Sequence, residues 1–302
     1  MLRKAKRAGG EGDHFPLTLT LTLSRKGRGN ICFDREDTSH KMQKIQLKQV
    51  IDTGKKPMPL LFAHRGARRE APENTIPAFE RAIEIGADGV EFDVLLTKDR
   101  VPIITHNNDL SVLTHFDGFV HETPFSTIKS LDFGSHYRTS FSNITAPTLT
   151  EVLELLQPHD ISIICELKSQ PGMASSVAEL VGGIISDFHF RNSVVLSSFD
   201  VKILYYLKKL FPNIPRALTI KRRAFPFFPW RIFATLLDVN EIHASFPMIT
   251  PSFMAKVRQH DWRLDVWTVN ETSEIDRCIS LGVEGIITDD VARAKRYLEL
   301  KQ

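Results

Sequence analysis

Short apolar runs rich in β-branched residues alternate with amphipathic segments along this chain, from about residue 60 to residue 300. Runs of roughly four to eight such residues are typical of buried strands, and the longer segments between them have the period of helices. Strands that alternate with helices form a mainly parallel sheet. The predicted strands are Leu60–Ala63, Gly89–Leu95, Val101–Thr105, Ile161–Leu167, Ser193–Ser197, Arg216–Ile220, Glu241–Ala244, Arg263–Val269 and Gly285–Thr288.

Several of the intervening helices have recognisable end signals. Thr148 is a predicted N-cap with Glu151 three residues later, as in a capping box. Gly86 and Gly282 are predicted to end their helices. The predicted helices are Thr75–Gly86, Thr148–Leu156, Met173–Phe188, Asp200–Leu210, Pro251–His260, Glu271–Leu281 and Asp290–Leu300.

We predict an α/β fold, a TIM (β/α)₈ barrel, because the stretch from Met42 to Gln302 is close to the roughly 250 residues typical of that fold. The predicted strands exceed eight, and one connection departs from the strand–helix rule. Glu91–Leu96 and Val101–His106 are joined by too few residues for a crossover helix, which needs about a dozen. They therefore form a predicted hairpin. A small inserted subdomain is predicted after the His106 strand, at about residues 107–147.

The hairpin register bears on the chemistry. If Asp99 and Arg100 are the two central turn residues, Asp93 pairs with His106. Directly opposed residues share a face, and so do Glu91 and Asp93, two positions apart. This register would bring Glu91, Asp93 and His106 together.

Residues 1–41 stand apart from the rest of the chain. A basic start is followed by alternating Leu and Thr, whereas a signal peptide needs a continuously apolar core. The string GGEGDHFPLTLTLTLSRKGRGN resembles translated intergenic repeat DNA found upstream of bacterial genes. We predict a disordered or spurious extension, with Met42 as the true start and residues 42–302 as the barrel domain. An ordinary mobile extension is the alternative.

Composition restricts the partners. The net charge of +3 is too small to favour nucleic acid. No apolar stretch is long enough to span a bilayer. The widely spaced Cys32, Cys165 and Cys278 form no metal motif and fit a reducing compartment, so we predict a cytoplasmic protein. The basic, aromatic segment 221–231 could contact a membrane, but a loop folded over the barrel mouth is the favoured interpretation. The oligomeric state is left open.

Three acidic residues lie within or at the end of predicted strands. Glu91 and Asp93 lie in one strand, and Glu166 lies near the end of another, with Lys168 two residues later and facing the same way. Charged residues that close apolar strands occupy the end of a barrel where active sites are built. A hard divalent cation prefers such carboxylate oxygens. The pattern predicts a metal site beside a cation.

Two histidines are the candidate acid and base. An imidazole titrates near neutral pH, so it can both accept and return a proton. His64 is followed by Arg65, whose guanidinium could bind phosphate oxygens in a bidentate way. His106 is predicted opposite Asp93. Together these residues suit a phosphate beside a divalent metal.

The same residues lie in motifs that resemble, in content and order, those of glycerophosphodiester phosphodiesterases. The resemblance spans roughly residues 60–290. The motifs are His64-Arg65-Gly66, Glu73-Asn74-Thr75, Glu91-Phe92-Asp93-Val94, Val101-Pro102 through His106, Glu166-Leu167-Lys168, Ser198-Phe199, Trp267-Thr268-Val269-Asn270 and Gly285-Ile286-Ile287-Thr288-Asp289.

The resemblance implies a barrel of the phospholipase-C-like phosphodiesterase type. It also implies a Ca²⁺- or Mg²⁺-dependent hydrolase that releases glycerol 3-phosphate and an alcohol. The positions that match metal ligands are Glu91, Asp93 and Glu166. Those that match the acid/base pair are His64 and His106. Arg65, Lys168 and Trp267 are expected to contact the small-molecule substrate.

Three departures accompany the resemblance: Asn107 stands where family members commonly have Asp, Val112 where they have Arg, and Asp99-Arg100 in place of Asp-Gly. Asn107 and Val112 suggest one alternative, a barrel that binds phosphodiesters without turnover. The aromatic segment 221–231 supports another, a lysophospholipase D-like lipid phosphodiesterase using the same site. Glu73 has two interpretations, a group within the site or a helix-start carboxylate. His243 ends a predicted strand and could line the cleft.

Overall fold

Eight parallel strands close into a barrel, because the first strand pairs with both the second and the last. This computed structural model describes residues 58–221 and 229–301, so the predicted extension 1–41 lies outside the described residues. The parallel strands follow one another around the ring in chain order, and one further strand, Pro102–Ile104, pairs antiparallel with Gly89–Leu96. The predicted (β/α)₈ barrel is confirmed.

The nine strands in the described part of the chain are β1 Leu60–His64, β2 Gly89–Leu96, β3 Pro102–Ile104, β4 Ser162–Leu167, β5 Val194–Ser198, β6 Arg216–Ile220, β7 Glu241–Ser245, β8 Arg263–Trp267 and β9 Gly285–Thr288. The α-helices in the described ranges are α1 Ile76–Ile85, α2 Phe125–Ile128, α3 Leu149–Leu156, α4 Ala174–Asp187, α5 Val201–Leu210, α6 Trp230–Leu236, α7 Pro251–Arg258, α8 Thr272–Leu281 and α9 Val291–Glu299.

Every predicted strand and helix is present, with ends displaced by at most two residues. The helix ends behave as their sequences predict. Thr148 and Glu151 form a reciprocal capping box, and Gly86 and Gly282 adopt the left-handed conformation that ends α1 and α8. Helix α6 was not predicted, because its seven residues directly follow Pro229 and are too few to show a helical period.

The predicted hairpin forms, but its register is wrong by one residue. Val94 pairs with Ile104 and Leu96 with Pro102, and the Thr105 amide donates to the Asp93 carbonyl at 3.1 Å. The loop has three residues instead of two, since Arg100 adopts a positive φ of 63°. Such a loop is a type I turn followed by a left-handed residue. Asp93 therefore lies opposite Thr105 and not His106.

The residues between β3 and α3 form a small subdomain with a core of its own. Its buried members include Leu110, Val120, Ile128 and Phe133, packed against Leu95 of the hairpin. Its secondary structure comprises α2 and short 3₁₀ turns at Leu110–Val112, Val120–Glu122 and Thr139–Phe141. None of the helices in the two described ranges combines the length and apolarity that crossing a bilayer requires.

One turn of this subdomain depends on an ionised carboxylate. The Asp132 Oδ1 accepts the Gly134 amide at 2.8 Å and the Ser135 amide at 3.1 Å. The Gly134 hydrogen bond is the main cause that lowers the pKa of Asp132 to about 2. Because this pKa lies below that of the unfolded chain, the stabilisation is present at neutral pH and is lost at low pH.

We expect Asp132→Ala to destabilise the protein at pH 7 and the difference to vanish in acid. The difference in free energy of unfolding should be largest above the unfolded-state pKa of about 3.9. It should shrink as the pH falls toward about 2, the pKa of Asp132 in the folded protein. Urea unfolding of both proteins between pH 6 and the lowest pH at which they fold measures this difference. Asp132→Asn, which keeps an acceptor without the charge, is the control. If Asp132→Ala lowers the free energy of unfolding by the same amount at every pH, the charge of Asp132 does not stabilise this turn.

Candidate active site

Three buried carboxylates converge inside the barrel near its carboxyl end. Glu91 and Asp93 lie two positions apart on β2, and Asp93 is in register with Glu166 on β4. One carboxylate oxygen from each of the three lies within 4.8 Å of the other two. Glu91 and Asp93 have exposed fractions of only 4% and 1%. We call these three residues the mouth cluster, because this end of a barrel carries active sites.

In the mouth cluster, Asp93 and Glu166 form ion pairs with two cations, Arg65 and Lys168. Burial, with the negative charges of Asp93 and Glu166, raises the pKa of Glu91 well above its ordinary value. Burial also raises the pKa of Glu166. It acts in the same direction on Asp93, but Lys168 and Arg65 outweigh it and hold the pKa of Asp93 below its ordinary value. Asp93 is thus the ionised centre of the cluster.

Lys168 bridges two of these acids. Its Nζ lies 2.7 Å from Asp93 Oδ1 and 2.5 Å from Glu166 Oε1. Burial would lower the pKa of Lys168, but these two carboxylates raise it above its ordinary value. The ammonium group is therefore charged and is held at the barrel mouth.

Arg65 is placed by its backbone as much as by its side chain. It adopts a positive φ of 59°, and its amide donates to the Glu91 carbonyl at 2.8 Å. Its Nη1 donates to Glu73 Oε1 at 2.7 Å, and its Nε faces Asp93 Oδ2 at 3.2 Å. The next residue must be glycine, because a Cβ at Gly66 would lie 2.7 Å from Ala78. Because Glu73 accepts a hydrogen bond from Arg65, it belongs to the site.

His64 is held by a residue from the far end of the chain. Its Nδ1 lies 2.6 Å from Asp289 Oδ1, just beyond β9, and its Nε2 lies 3.9 Å from Glu91 Oε2. Asn270 and Arg68 also donate to Asp289, at 2.9 and 3.0 Å. A carboxylate acceptor fixes the proton on Nδ1, which turns the Nε2 lone pair toward the mouth cluster.

Asp289 was missed as a functional residue by sequence reasoning. The available signal was its position directly after an apolar strand, the same rule that selected Glu166 and Lys168. Arg68 was missed as well. It pairs with both Glu73 and Asp289, and so links the partner of Arg65 to the partner of His64.

His106 reaches the mouth cluster without the predicted strand pairing. It lies two residues beyond the end of β3, and the negative charge of Asp93 acts on it. Burial is the largest effect on His106 and lowers its pKa below the ordinary value. Its Nδ1 lies 2.9 Å from Asn107 Oδ1, a neutral acceptor. The two histidines thus have different partners, a carboxylate for His64 and an amide for His106.

Trp267 ends β8 at the same end of the barrel. Its ring packs edge-to-face against Phe199, with 5.6 Å between centroids, and its Nε1 donates to the His243 carbonyl at 3.2 Å. His64, Glu166 and Trp267 thus lie at or next to the carboxyl ends of barrel strands. Arg65, Lys168 and His106 follow strands, and Glu91 and Asp93 lie within β2. Val112 lies apart from them, 54% exposed in the subdomain.

A barrel with buried carboxylates, paired cations and two histidines at its carboxyl end defines a hydrolase acting on phosphate esters. The sequence model of the glycerophosphoryl diester phosphodiesterase family matches residues 64–293. The chain belongs to this family, whose members are phosphoric diester hydrolases.

Relatives and solved structures agree with this assignment. A glycerophosphodiester phosphodiesterase of Caldanaerobacter subterraneus is 35% identical over 76% of this chain and 94% of its own. One from Bacillus altitudinis is 32% identical over 80% and 99%. An Oleispira antarctica phosphodiesterase, solved with the product sn-glycerol-3-phosphate, has a TM-score of 0.75 and 26% identity, covering 80% of this chain and 97% of that one.

We expect Asp289→Asn to lower kcat about 10- to 100-fold with little change in KM, because the amide no longer fixes the His64 tautomer. Steady-state hydrolysis of a glycerophosphodiester measures both constants. Asp276→Asn is the matched control, since Asp276 is a solvent-accessible carboxylate that accepts from the Tyr297 hydroxyl at 2.8 Å. Equal kcat for Asp289→Asn and Asp276→Asn would contradict the role of Asp289.

Proposed function

We propose that this protein hydrolyses glycerophosphodiesters to glycerol 3-phosphate and an alcohol, with a divalent cation and with His64 and His106 as the acid/base pair. The observation that carries the proposal is the convergence of three carboxylates, two cations and two histidines at one end of the barrel. The product bound by the Oleispira enzyme supports the choice of substrate. The buried, free thiols of Cys165 and Cys278 support a cytoplasmic location.

The charges around the mouth cluster fit a divalent cation. Within the described residues, four acids, the mouth cluster and Glu73, face three cations, Arg65, Arg68 and Lys168. Burial, together with the negative charges of Asp93 and Glu166, raises the pKa of Glu91. The donors are all carboxylate oxygens, which suits Mg²⁺ or Ca²⁺. Glu91, Asp93 and Glu166 would hold the ion, which when bound supplies positive charge to the phosphoryl oxygens.

The basic residues would orient the phosphate. Lys168 and Arg65 are charged, buried for the most part, and held beside Asp93 at 2.7 and 3.2 Å. In a site shielded from water such fixed positive groups stabilise the charge that develops on phosphoryl oxygens during the reaction. The guanidinium of Arg65 adds directional donors, and the ammonium group of Lys168 adds a point charge.

The histidines supply proton transfer on the two sides of the phosphate. His64 Nε2 faces the cluster because Asp289 binds Nδ1, and Asp289 stabilises the imidazolium that forms when His64 accepts a proton. His106 is the second group of the pair. One histidine takes the proton of the attacking oxygen, and the other returns a proton to the leaving alkoxide.

A lysophospholipase D-like activity is the second candidate. Phe199 is 37% exposed beside Trp267, and Lys221 lies 5.4 Å over the Phe199 ring. An exposed aromatic pair with a cation suits an amphipathic substrate at the barrel mouth. This observation favours a lipid alcohol on the same catalytic residues, and it leaves the reaction unchanged.

Glycerol 3-phosphate release from glycerophosphocholine tests the proposal. We expect activity that EDTA abolishes and Mg²⁺ or Ca²⁺ restores, and a loss of about 100-fold or more in His64→Ala and His106→Ala. His159→Ala, at an exposed histidine beyond α3, is the control. Metal-independent release, or full activity of His64→Ala, would refute the site. Activity on lysophosphatidylcholine alone would establish the second candidate. Binding of both substrates without turnover would identify a non-catalytic barrel.

Replacement of Asn107 by Asp should move the pH–rate profile. A carboxylate 2.9 Å from His106 Nδ1 favours the imidazolium, so it should raise the pKa of His106 and shift the corresponding limb to higher pH. Profiles of kcat/KM from pH 5 to pH 9 measure the shift. Asn213→Asp is the control, because it adds the same charge at an exposed position and should leave the pH–rate profile unchanged. An unchanged limb in Asn107→Asp would show that His106 does not control the reaction.

A further inference from the structure

A second group of candidate ligands lies inside the barrel on β7 and β8. His243 Nε2 lies 3.2 Å from Glu241 Oε2 and 3.9 Å from Asp265 Oδ2. One ligand atom from each of these residues lies within 4.8 Å of the others. Their exposed fractions are 9% for Glu241, 1% for His243 and 0% for Asp265. We call them the inner cluster. They share no residue with the mouth cluster.

Strand register explains why these side chains meet. Glu241 and His243 are two positions apart on β7, so they point to the same face. His243 is in register with Asp265 on β8 and with Thr219 on β6. Asp265 is in register with Gly285 on β9, where a Cβ would overlap the Asp265 carboxylate. The missing side chain at Gly285 thus leaves the space that Asp265 occupies.

Thr219 supplies an independent sign that a ligand belongs here. Its Oγ1 is buried and has no hydrogen-bond partner, and the residue is 4% exposed. Buried hydroxyls are nearly always paired, because an unpaired one loses its hydrogen bonds to water without replacement. By register this hydroxyl is on the same face as His243, inside the barrel. A ligand in the inner cluster would give it a partner.

The inner cluster also carries excess negative charge. Arg263 is its nearest cation, with Nε 3.0 Å from Asp265 Oδ1 and 3.8 Å from Glu241 Oε2. One guanidinium thus faces two buried carboxylates. Arg263 engages Asp265 mainly through Oδ1, whereas Oδ2 faces His243. A carboxylate that binds a metal commonly accepts such an outer hydrogen bond as well.

We propose that Glu241, His243 and Asp265 bind a divalent transition-metal ion, with Zn²⁺ as the fitting representative, and that Thr219 contributes its hydroxyl to the same site. One imidazole nitrogen with two carboxylates suits Zn²⁺, Mn²⁺ or Fe²⁺ better than Mg²⁺ or Ca²⁺, which take oxygen ligands. The ion would link β7 to β8 and to the neighbouring β6 near the start of these strands. It would stabilise the protein because it binds the folded barrel and not the unfolded chain.

The test separates the two clusters. The full chain carrying Glu91→Gln and Glu166→Gln, which disables the mouth cluster, is loaded with Zn²⁺ and dialysed. We expect about one Zn²⁺ per chain by elemental analysis and a Tm that rises with Zn²⁺ concentration. In the same background His243→Gln should abolish binding, and Thr219→Val, close to isosteric, should weaken it about 10-fold. His159→Gln is the control for loss of an exposed histidine.

The outcomes decide the proposal. Absence of Zn²⁺ from the protein with the disabled mouth cluster would overturn it, and so would unchanged Zn²⁺ affinity in Thr219→Val. If His243→Gln does not fold, Co²⁺ replaces Zn²⁺ in the parent and in Thr219→Val. A visible absorption band that changes with Thr219→Val then supports the site, and an unchanged band overturns it. These readouts do not depend on catalysis, so failure here leaves the proposed hydrolysis untouched.

Discussion

The arrangement of side chains at the barrel mouth depends on the ion pairs of the buried Asp93 carboxylate with Lys168 and Arg65. Asp93 is 1% exposed, and it faces Lys168 at 2.7 Å, Arg65 at 3.2 Å and the Asn74 amide at 2.9 Å. A buried charge is tolerated only where partners surround it. Lys168 and Arg65 are therefore oriented by Asp93 before any substrate binds. Their own burial is tolerated for the same reason, so removal of one partner exposes the others to an uncompensated charge.

Much of this arrangement could be predicted from local sequence. Alternating apolar runs and amphipathic segments were sufficient for the strands and for seven of the nine helices in the described residues, because each of these follows from the period of its own residues. Glu166 and Lys168 could be predicted because charged residues that close a buried barrel strand lie where active sites are built. The register of the hairpin could not, because it depends on Arg100 adopting a positive φ, which the identity of the residue disfavours.

Contacts that depend on closure of the barrel were the hardest to foresee. His64 and Asp289 are 225 residues apart, and no local pattern links them. They meet because β1 pairs with β9, which is a property of the whole ring. The inner cluster has the same origin. Glu241 and His243 are ordinary within the sequence of β7, and only the neighbouring strands reveal that an acid and an unpaired hydroxyl face the same space.

The pairing of β1 with β9 has a consequence for the timing of assembly. During synthesis His64 is made 225 residues before Asp289, so β9 must be made before the two residues can meet. A chain made only as far as β8 holds the mouth cluster, Arg65 and both histidines, yet it lacks the carboxylate that hydrogen-bonds to His64. The contact that orients His64 would therefore form late in biosynthesis, after the strands that carry the mouth cluster have been made.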